Sequence, residues 1–264
     1  MHIDLTRKRA VVSGSTLGIG FAIAQGLASS GAQVVLNGRS QASVDAAKAR
    51  LLKAVPDARV EGIVADLSRA DGIEALLRAV PDTDILVNNL GIFEPKPFEE
   101  ISDGDWLRFF ETNVMSGIRL SRAYVPAMRE RDWGRIVFIS SESALNIPVE
   151  MVHYGMTKTA QLAVSRGLAA SLAGTGVTVN AVLPGPTRSE GVADFFGKMA
   201  KDAGLSQGQM EKQFIAEHRP SSILRRLATP EEVANMVVYV CSQQASATTG
   251  AALRVDGGVV STIG

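Results

Sequence analysis

The sequence predicts an α/β chain in which helices wind onto both faces of a parallel sheet, a doubly wound sandwich. Short β-branched runs such as Arg9-Ala10-Val11-Val12, Gln33-Val34-Val35-Leu36 and Val60-Glu61-Gly62-Ile63-Val64 alternate with longer segments of helical periodicity, the pattern that builds βαβ units. A glycine-rich turn follows the first run. No linker and no repeat of solenoid period interrupts the 264 residues, so one domain spanning 1–264 is expected.

Twenty-seven Lys and Arg balance twenty-seven Asp and Glu, which leaves no net field to draw nucleic acid or an anionic membrane. Neither partner is expected. The single Cys241 follows the apolar run Met236-Val237-Val238-Tyr239-Val240 and reads as a buried structural thiol without a redox role. Neither Met1-His2-Ile3-Asp4-Leu5 nor any later run is an uninterrupted apolar stretch of spanning length. A soluble, cytoplasmic protein without a metal site is expected.

The first run leads through Ser13 into Gly14, Ser15, Thr16, Leu17, Gly18, Ile19 and Gly20, and then into the helical pattern Ile23, Leu27, Ala28. Strand, glycine turn and helix in that order aim backbone N–H groups and a helix N-terminus at phosphate. The second strand ends in Asn37-Gly38-Arg39-Ser40, where a dinucleotide-binding fold prefers Asp or Glu if the ribose carries a free 2′-hydroxyl. Neither is present, and Arg39 can fork onto a 2′-phosphate or stack on adenine, so NADP(H) is preferred over NAD(H). The plainer alternative is a surface arginine. A polar helix over Gln41 to Ala54 precedes the third strand, which delivers Asp66 and Leu67. Asp66 either accepts from an adenine amino group or caps the helix marked by Ile73, Leu76 and Leu77.

Asp84-Ile85-Leu86-Val87 is the fourth strand and Asn88-Asn89-Leu90-Gly91 its exit. Pro97 to Arg131 reads as a preamble and one long helix, with Trp106, Phe109, Phe110, Val114, Ile118, Leu120 and Tyr124 at mostly helical intervals and Asn113 in the middle of the apolar face. On residues alone Asn113 is a packed polar group tying neighbouring backbones. Arg135-Ile136-Val137-Phe138-Ile139-Ser140 then brings Ser141 to a strand end, followed by Tyr154 and, four residues on, Lys158. On a helix these last two share a face. A phenol of pKa about 10 is a poor acid or base near neutrality, but an adjacent ammonium favours the phenolate, and a serine hydroxyl can donate to a carbonyl oxygen. That set suits carbonyl and alcohol chemistry. His153 points elsewhere on the helix by roughly 100° and reads as structural or peripheral.

Val177 to Leu183 is the sixth strand, closed by Pro184-Gly185-Pro186-Thr187. An insertion at about 188–226 reads as a substrate lid, with one apolar stripe in Val192, Phe195, Phe196 and Met199, a break at Ala203-Gly204, and a second stripe in Met210 and Phe214. Its arginines Arg188, Arg219, Arg225 and Arg226 read as solvated, with an acidic substrate as the alternative. Thr229 caps a helix whose first turn is Pro230-Glu231-Glu232, and Leu253-Arg254-Val255 followed by Asp256-Gly257-Gly258 ends the pattern.

These motifs together resemble the short-chain dehydrogenase/reductase family: a Gly-x-x-x-Gly-x-Gly turn, an Asn-Asn-x-Gly strand end, and Ser with Tyr-x-x-x-Lys. The resemblance covers nearly the whole chain and departs at Ser13, usually Thr, and at Leu90, usually Ala and here set near the path of the adenine ribose. It implies a Rossmann-like three-layer sandwich with a seven-stranded parallel sheet ordered 3-2-1-4-5-6-7. It implies that Asn113, Ser141, Tyr154 and Lys158 are catalytic, Asn113 through a proton-relaying water and Lys158 also through the nicotinamide ribose. Asn89, Gly91, Pro184, Gly185 and Thr187 would line the cofactor, the last at the carboxamide or the pyrophosphate. A homodimer or homotetramer packed through the helices of Asn113 and Tyr154 is expected.

The expected activity is NAD(P)(H)-dependent interconversion of a ketone and a secondary alcohol, in a pocket bounded by Ile92, Phe93, Leu145, Ile147, Val149, Met151 and the lid. The four-residue Tyr–Lys spacing argues against enoyl reduction, and the chain length against an extended epimerase or dehydratase. The alternative of another class is a catalytically idle NADP(H)-sensing protein.

Overall fold

In a computed structural model the protein is described at residues 2–190, 192, 200–201 and 204–263. Its strands are β1 (Arg9–Val12), β2 (Gln33–Gly38), β3 (Val60–Val64), β4 (Ile85–Asn88), β5 (Gly134–Ile139), β6 (Val177–Pro184) and β7 (Ala252–Val255). They form one sheet in the order β3-β2-β1-β4-β5-β6-β7, every neighbour parallel. The order reverses direction at β1, whose neighbours are β2 and β4, and the crevice outside the carboxyl ends at such a reversal is where open α/β sheets bind ligands.

Because successive strand residues face opposite sides, the short apolar runs feed two cores. Val12, Val34, Leu36 and Val87 pack under α1 (Gly18–Ser29), α2 (Gln41–Ala54) and a helix near the C-terminus, while Val11, Val35, Leu86 and Phe138 pack under α3 (Ala70–Ala79) and two helices of the other layer. Both faces being covered explains why the strands read as continuous apolar runs rather than alternating ones.

The long helix expected between Pro97 and Arg131 is divided. A capping box at Ser102 and Asp105 starts α4 (Asp103–Phe110), a π-helical turn covers Glu111–Met115, and α5 (Ser116–Glu130) follows. The π turn holds Asn113 at its centre; such single wide turns insert one residue and rotate the helix beyond them. Next comes α6 (Val152–Ser171), which carries Tyr154 and Lys158.

In the segment expected to be a lid, α7 (Gln207–His218) buries Met210 and Ile215 against Ala200 and Leu227, with Val192 and Phe214 half-buried beside them. Phe195, Phe196, Met199 and Ala203 lie outside the described residues. The last helix, α8 (Pro230–Val240), begins as the sequence indicates, with the Thr229 side chain accepting from the Glu232 N–H and the Glu232 carboxylate accepting from the Thr229 N–H. Thr229→Ala is expected to cost about 1 kcal/mol, lowering the thermal midpoint by about 2–4 °C, as scanning calorimetry would measure.

Candidate active site

Three side chains gather the strand exits at the sheet's carboxyl edge. The Ser13 hydroxyl accepts from the N–H groups of Asn89 (2.9 Å) and Leu90 (3.0 Å) and lies 3.3 Å from the Val87 carbonyl, so serine does here what a threonine hydroxyl would. Asn89 Nδ2 donates to the carbonyls of Ser13 and Gly14, both at 3.0 Å. Asn37 accepts from Gly14 N–H (3.1 Å) and donates to the carbonyls of Ala65 (3.0 Å) and Ile63 (3.3 Å). Asn37 is a residue that the sequence reading passed over.

The turn between β1 and α1 places Gly14 and Gly18 at φ +60° and +58°, a region open to glycine. A Cβ on Gly20 would stand 2.5 Å from the Gly14 carbonyl oxygen and closer still to Asn89 Nδ2. The resulting cradle opens onto a cavity of about 370 Å³ lined by Gly14, Thr16, Leu17, Asn37, Arg39, Asp66, Leu67, Leu90 and Gly91, among others. A second cavity of about 200 Å³ shares Gly91 and Ile92 with it and adds Ile19, Asn89, Ser141, Tyr154, Lys158, Pro184, Gly185 and Thr187. Ser15 is buried in the turn, its hydroxyl donating to the Val12 carbonyl at 2.7 Å. Shape and donors fit a dinucleotide: glycines where backbone must approach, a helix N-terminus for phosphate, and polar groups at both ends.

Arg39 is exposed beside Asp66 and has no hydrogen-bond or ion-pair partner among the described residues. Asp66 is not the cap of α3, a correction to one of its two expected roles. The N-cap is Arg69, and the Asp66 carboxylate instead accepts from the N–H and hydroxyl of Ser68, at 3.1 and 2.7 Å. Leu90 stands against Gly14, 3.3 Å from where a Cβ would be.

At the other end, Lys158 is buried and donates to the Ile139 carbonyl at 2.9 Å. Its Nζ lies 5.5 Å from the centre of the Tyr154 ring. Burial draws the ammonium down to about 8, and the Glu142 carboxylate pulls the other way. The expectation that Lys158 lowers the tyrosine's pKa is not what this geometry gives. Lost hydration pushes the Tyr154 phenol above its usual value, Glu142 adds to that, and hydrogen bonding to Ser141 and the Arg219 guanidinium oppose it. Asn113 Oδ1 accepts from Ile92 N–H (2.8 Å) while its Nδ2 donates to the Ile92 carbonyl and Thr157 Oγ1, both at 3.0 Å, and its own carbonyl accepts from Gln161 (2.6 Å). Gly91 leaves the space between Asn113 and Lys158 open.

Ser141 does not point its proton into the cavity. Its hydroxyl donates to Glu142 Oε2 at 2.5 Å and accepts from Ser143 N–H at 3.1 Å. Arg219 corrects the expectation of solvated arginines: it is buried, with Nε 3.2 Å from Glu142 Oε1 and Nη1 3.5 Å from Glu150. Arg188 and Arg226 pair with Glu211 and Glu232. Glu190 also went unread: its carboxylate accepts from Gly18 N–H at 2.7 Å and from Arg50 at 3.0 Å. Charge next to a serine was visible in the sequence for Glu142; nothing local signalled its burial. His153 is fully buried, its ring centre 4.1 Å from that of Phe109, both nitrogens without a hydrogen-bond partner among the described residues.

A glycine cradle at the switch point of a parallel sheet, continuous with a cavity holding Ser, Tyr and Lys, defines the dinucleotide-dependent oxidoreductases of the Rossmann-like class. A family model described as enoyl-(acyl carrier protein) reductase matches residues 14–260. An oxidoreductase of Bacillus subtilis named YvaG, described as uncharacterized, is 46% identical over all of both chains, and a D-beta-hydroxybutyrate dehydrogenase of Cupriavidus necator is 34% identical, covering 97% of this chain and 99% of its own. The crystal structure of L-sorbose reductase from Gluconobacter frateurii, complexed with NADPH and L-sorbose, superimposes with a TM-score of 0.94 at 32% identity over the full length of both chains. The protein belongs to the short-chain dehydrogenase/reductase family and is an NAD(P)-dependent oxidoreductase of carbonyls and alcohols.

Gly20→Ala is expected to cost about 1–3 kcal/mol, because the atoms in its way are largely backbone. Urea unfolding monitored by circular dichroism reads this directly, and an unchanged midpoint would contradict the close approach.

Proposed function

We propose that the protein is a single-domain NADP(H)-preferring enzyme that interconverts a ketone and a secondary alcohol. The observation that carries the reading is the convergence of Ser141, Tyr154 and Lys158 on one cavity continuous with the Arg39 end of the groove. When bound, the dinucleotide supplies or takes up the hydride. Gly14, Ser15, Thr16, Leu17, Gly18, Ile19 and Gly20 would cradle its pyrophosphate, and Arg39 its 2′-phosphate. Asp66 and Leu67 would meet the adenine, and Asn89, Gly91, Pro184, Gly185 and Thr187 would flank the nicotinamide half. A free guanidinium without a competing carboxylate partner supports NADP(H), as do neighbouring structures solved with NADPH or NADP.

Tyr154 exchanges the proton with the substrate oxygen, Ser141 holds that oxygen, and Lys158 contacts the ribose. Asn113 orders the backbone of Ile92 beside Lys158, where a relay of protons would pass. The four-residue Tyr–Lys spacing favours carbonyl chemistry over the enoyl reduction in the family model's description. Exposed Leu145, Ile147, Val149 and Phe93 make an apolar mouth, with residues 188–226 as its cover, which suits a ketone of modest size. Exposed Phe98, Leu107 and Phe110 at and before α4 support a homodimer or homotetramer.

Two measurements test this. Fluorescence titration with NADPH and NADH on wild type and Arg39→Ala should show tighter NADPH binding and loss of that difference in the variant; equal binding of both by wild type would remove the NADP(H) preference. Tyr154→Phe should retain NADPH affinity while losing turnover by orders of magnitude on any ketone or alcohol pair the enzyme accepts, and near-normal turnover would refute the role of the phenol.

A further inference from the structure

The amino edge of the sheet, opposite the glycine cradle, holds a buried cation that the carbonyl chemistry does not use. Arg135, the second residue of β5, is 1% exposed. Its Nε donates to the Ser242 carbonyl at 3.2 Å and its Nη1 to the carbonyls of Gly134 (2.8 Å) and Gly176 (3.0 Å), while Nη2 has no hydrogen-bond partner among the described residues. Peptide carbonyls satisfy donors but cancel no charge. Buried Arg219 faces Glu142 and Glu150, and buried Glu211 faces Arg188. Arg135 has no such acid: burial lowers its pKa, and only the Cys241 thiol group is set against that. A buried charge without a counter-charge is costly. Thr178 of β6 is in register with Arg135 on the neighbouring strand, which puts the two side chains on the same face of the sheet. Its hydroxyl is buried and also without a partner among the described residues.

Both residues line one cavity of about 350 Å³, within the size range of small-molecule sites. Trp133 and Leu172 give it an apolar wall. The Trp133 ring is fixed from three sides: its centre lies 4.5 Å from Arg135 Cζ and 3.5 Å from Lys8 Nζ, and its N–H donates to Gln243 at 3.1 Å. Asp132 also lines the cavity, its carboxylate accepting from Gly176 N–H at 2.6 Å. One cation with an acid beside it suits a monoanion better than a phosphate dianion. Two unused donors, the guanidinium Nη2 and a hydroxyl, supply one proton to each oxygen of a carboxylate. We propose that Arg135 and Thr178 form a second binding site, for a small monocarboxylate whose oxygens take Arg135 Nη2 and the Thr178 hydroxyl and whose apolar body lies on Trp133 and Leu172. The site shares no lining residue with the glycine cradle or the cavity of Tyr154 and Lys158, so it stands apart from the carbonyl–alcohol reading.

Isothermal titration calorimetry with sodium butyrate and sodium benzoate tests this, with butyramide, benzamide and inorganic phosphate as controls. Wild type should bind at least one of the carboxylates at a single saturable site, with the matching amide at least about tenfold weaker because it lacks the charge. Thr178→Val should weaken that binding about tenfold, and Arg135→Met should abolish it. Ala173→Trp should abolish it too, by filling the cavity from an exposed lining position that leaves Arg135 and Thr178 in place. Lys158→Met should leave it unchanged, which separates this site from the cationic end of the catalytic cavity. No saturable binding of either carboxylate by wild type overturns the proposal. So does amide or phosphate binding as tight as that of the carboxylate, or binding that survives Ala173→Trp and is lost in Lys158→Met. Should Arg135→Met not fold, Thr178→Val and Ala173→Trp decide the matter.

Discussion

The Asn37 side chain joins three strand ends at once. Parallel strands finish with peptide groups that have no neighbour to continue the ladder, and buried unpaired groups are costly. Asn37 answers this by taking the Gly14 N–H and giving its amide protons to the carbonyls of Ile63 and Ala65, while Ser15 and Asn37 exchange two further bonds. With Ser13 and Asn89 doing the same for β4, the glycine turn is held at its positive φ angles from both sides. The N-terminus of α1 depends on this scaffold, since a turn that drifted would carry the helix start with it.

The other end of the groove is organised around charge rather than around backbone. Lys158 is buried, and its neutral form is favoured enough that the ammonium ionises near 8. The π turn at Glu111–Met115 contributes by presenting the carbonyl of Asn113 to Gln161, a bond across from the turn to α6, so that Asn113 and Lys158 are fixed relative to each other by packed elements. Tyr154 is flanked by Phe93, whose ring stands edge-on at 6.4 Å between centres. The phenol thus sits in surroundings that resist ionisation.

Much of this was legible in the sequence because period carries it. The β-branched runs and helical stripes placed the strands and most helices, α2 to the residue, and the four-residue spacing put Tyr154 and Lys158 on one face lining one cavity. Hydration and distant pairing are what period could not carry. Spacing says that Lys158 is near Tyr154 but not that both lose water, which reverses the expected effect on the phenol. Glu142 meets a partner 77 residues away, Glu190 reaches Gly18 across 172, and no local pattern announces either. Asp66 was misread in one of its roles because Asp-Leu-Ser serves equally as a cap or as a turn closing on its own serine. The break at Asn113 required hydrogen bonds of a wider turn, which apolar spacing alone does not distinguish from an ordinary helix.

Burying the Glu142 carboxylate costs several kcal/mol of lost hydration, and removing its partner from such a pair typically costs about 3–5 kcal/mol. Arg219 therefore does more than add an attraction. It offsets the cost of burying the carboxylate to which Ser141 donates. Arg219 follows α7, in the segment that runs from Arg188 to Arg226. That segment is attached at its start by Glu190 to Gly18 and Arg50, and near its end by Arg219 to Glu142. The carboxylate that Arg219 pairs with also accepts from the Ser141 hydroxyl at 2.5 Å. One arginine of this segment thereby reaches, through Glu142, the serine that lines a cavity with Tyr154 and Lys158.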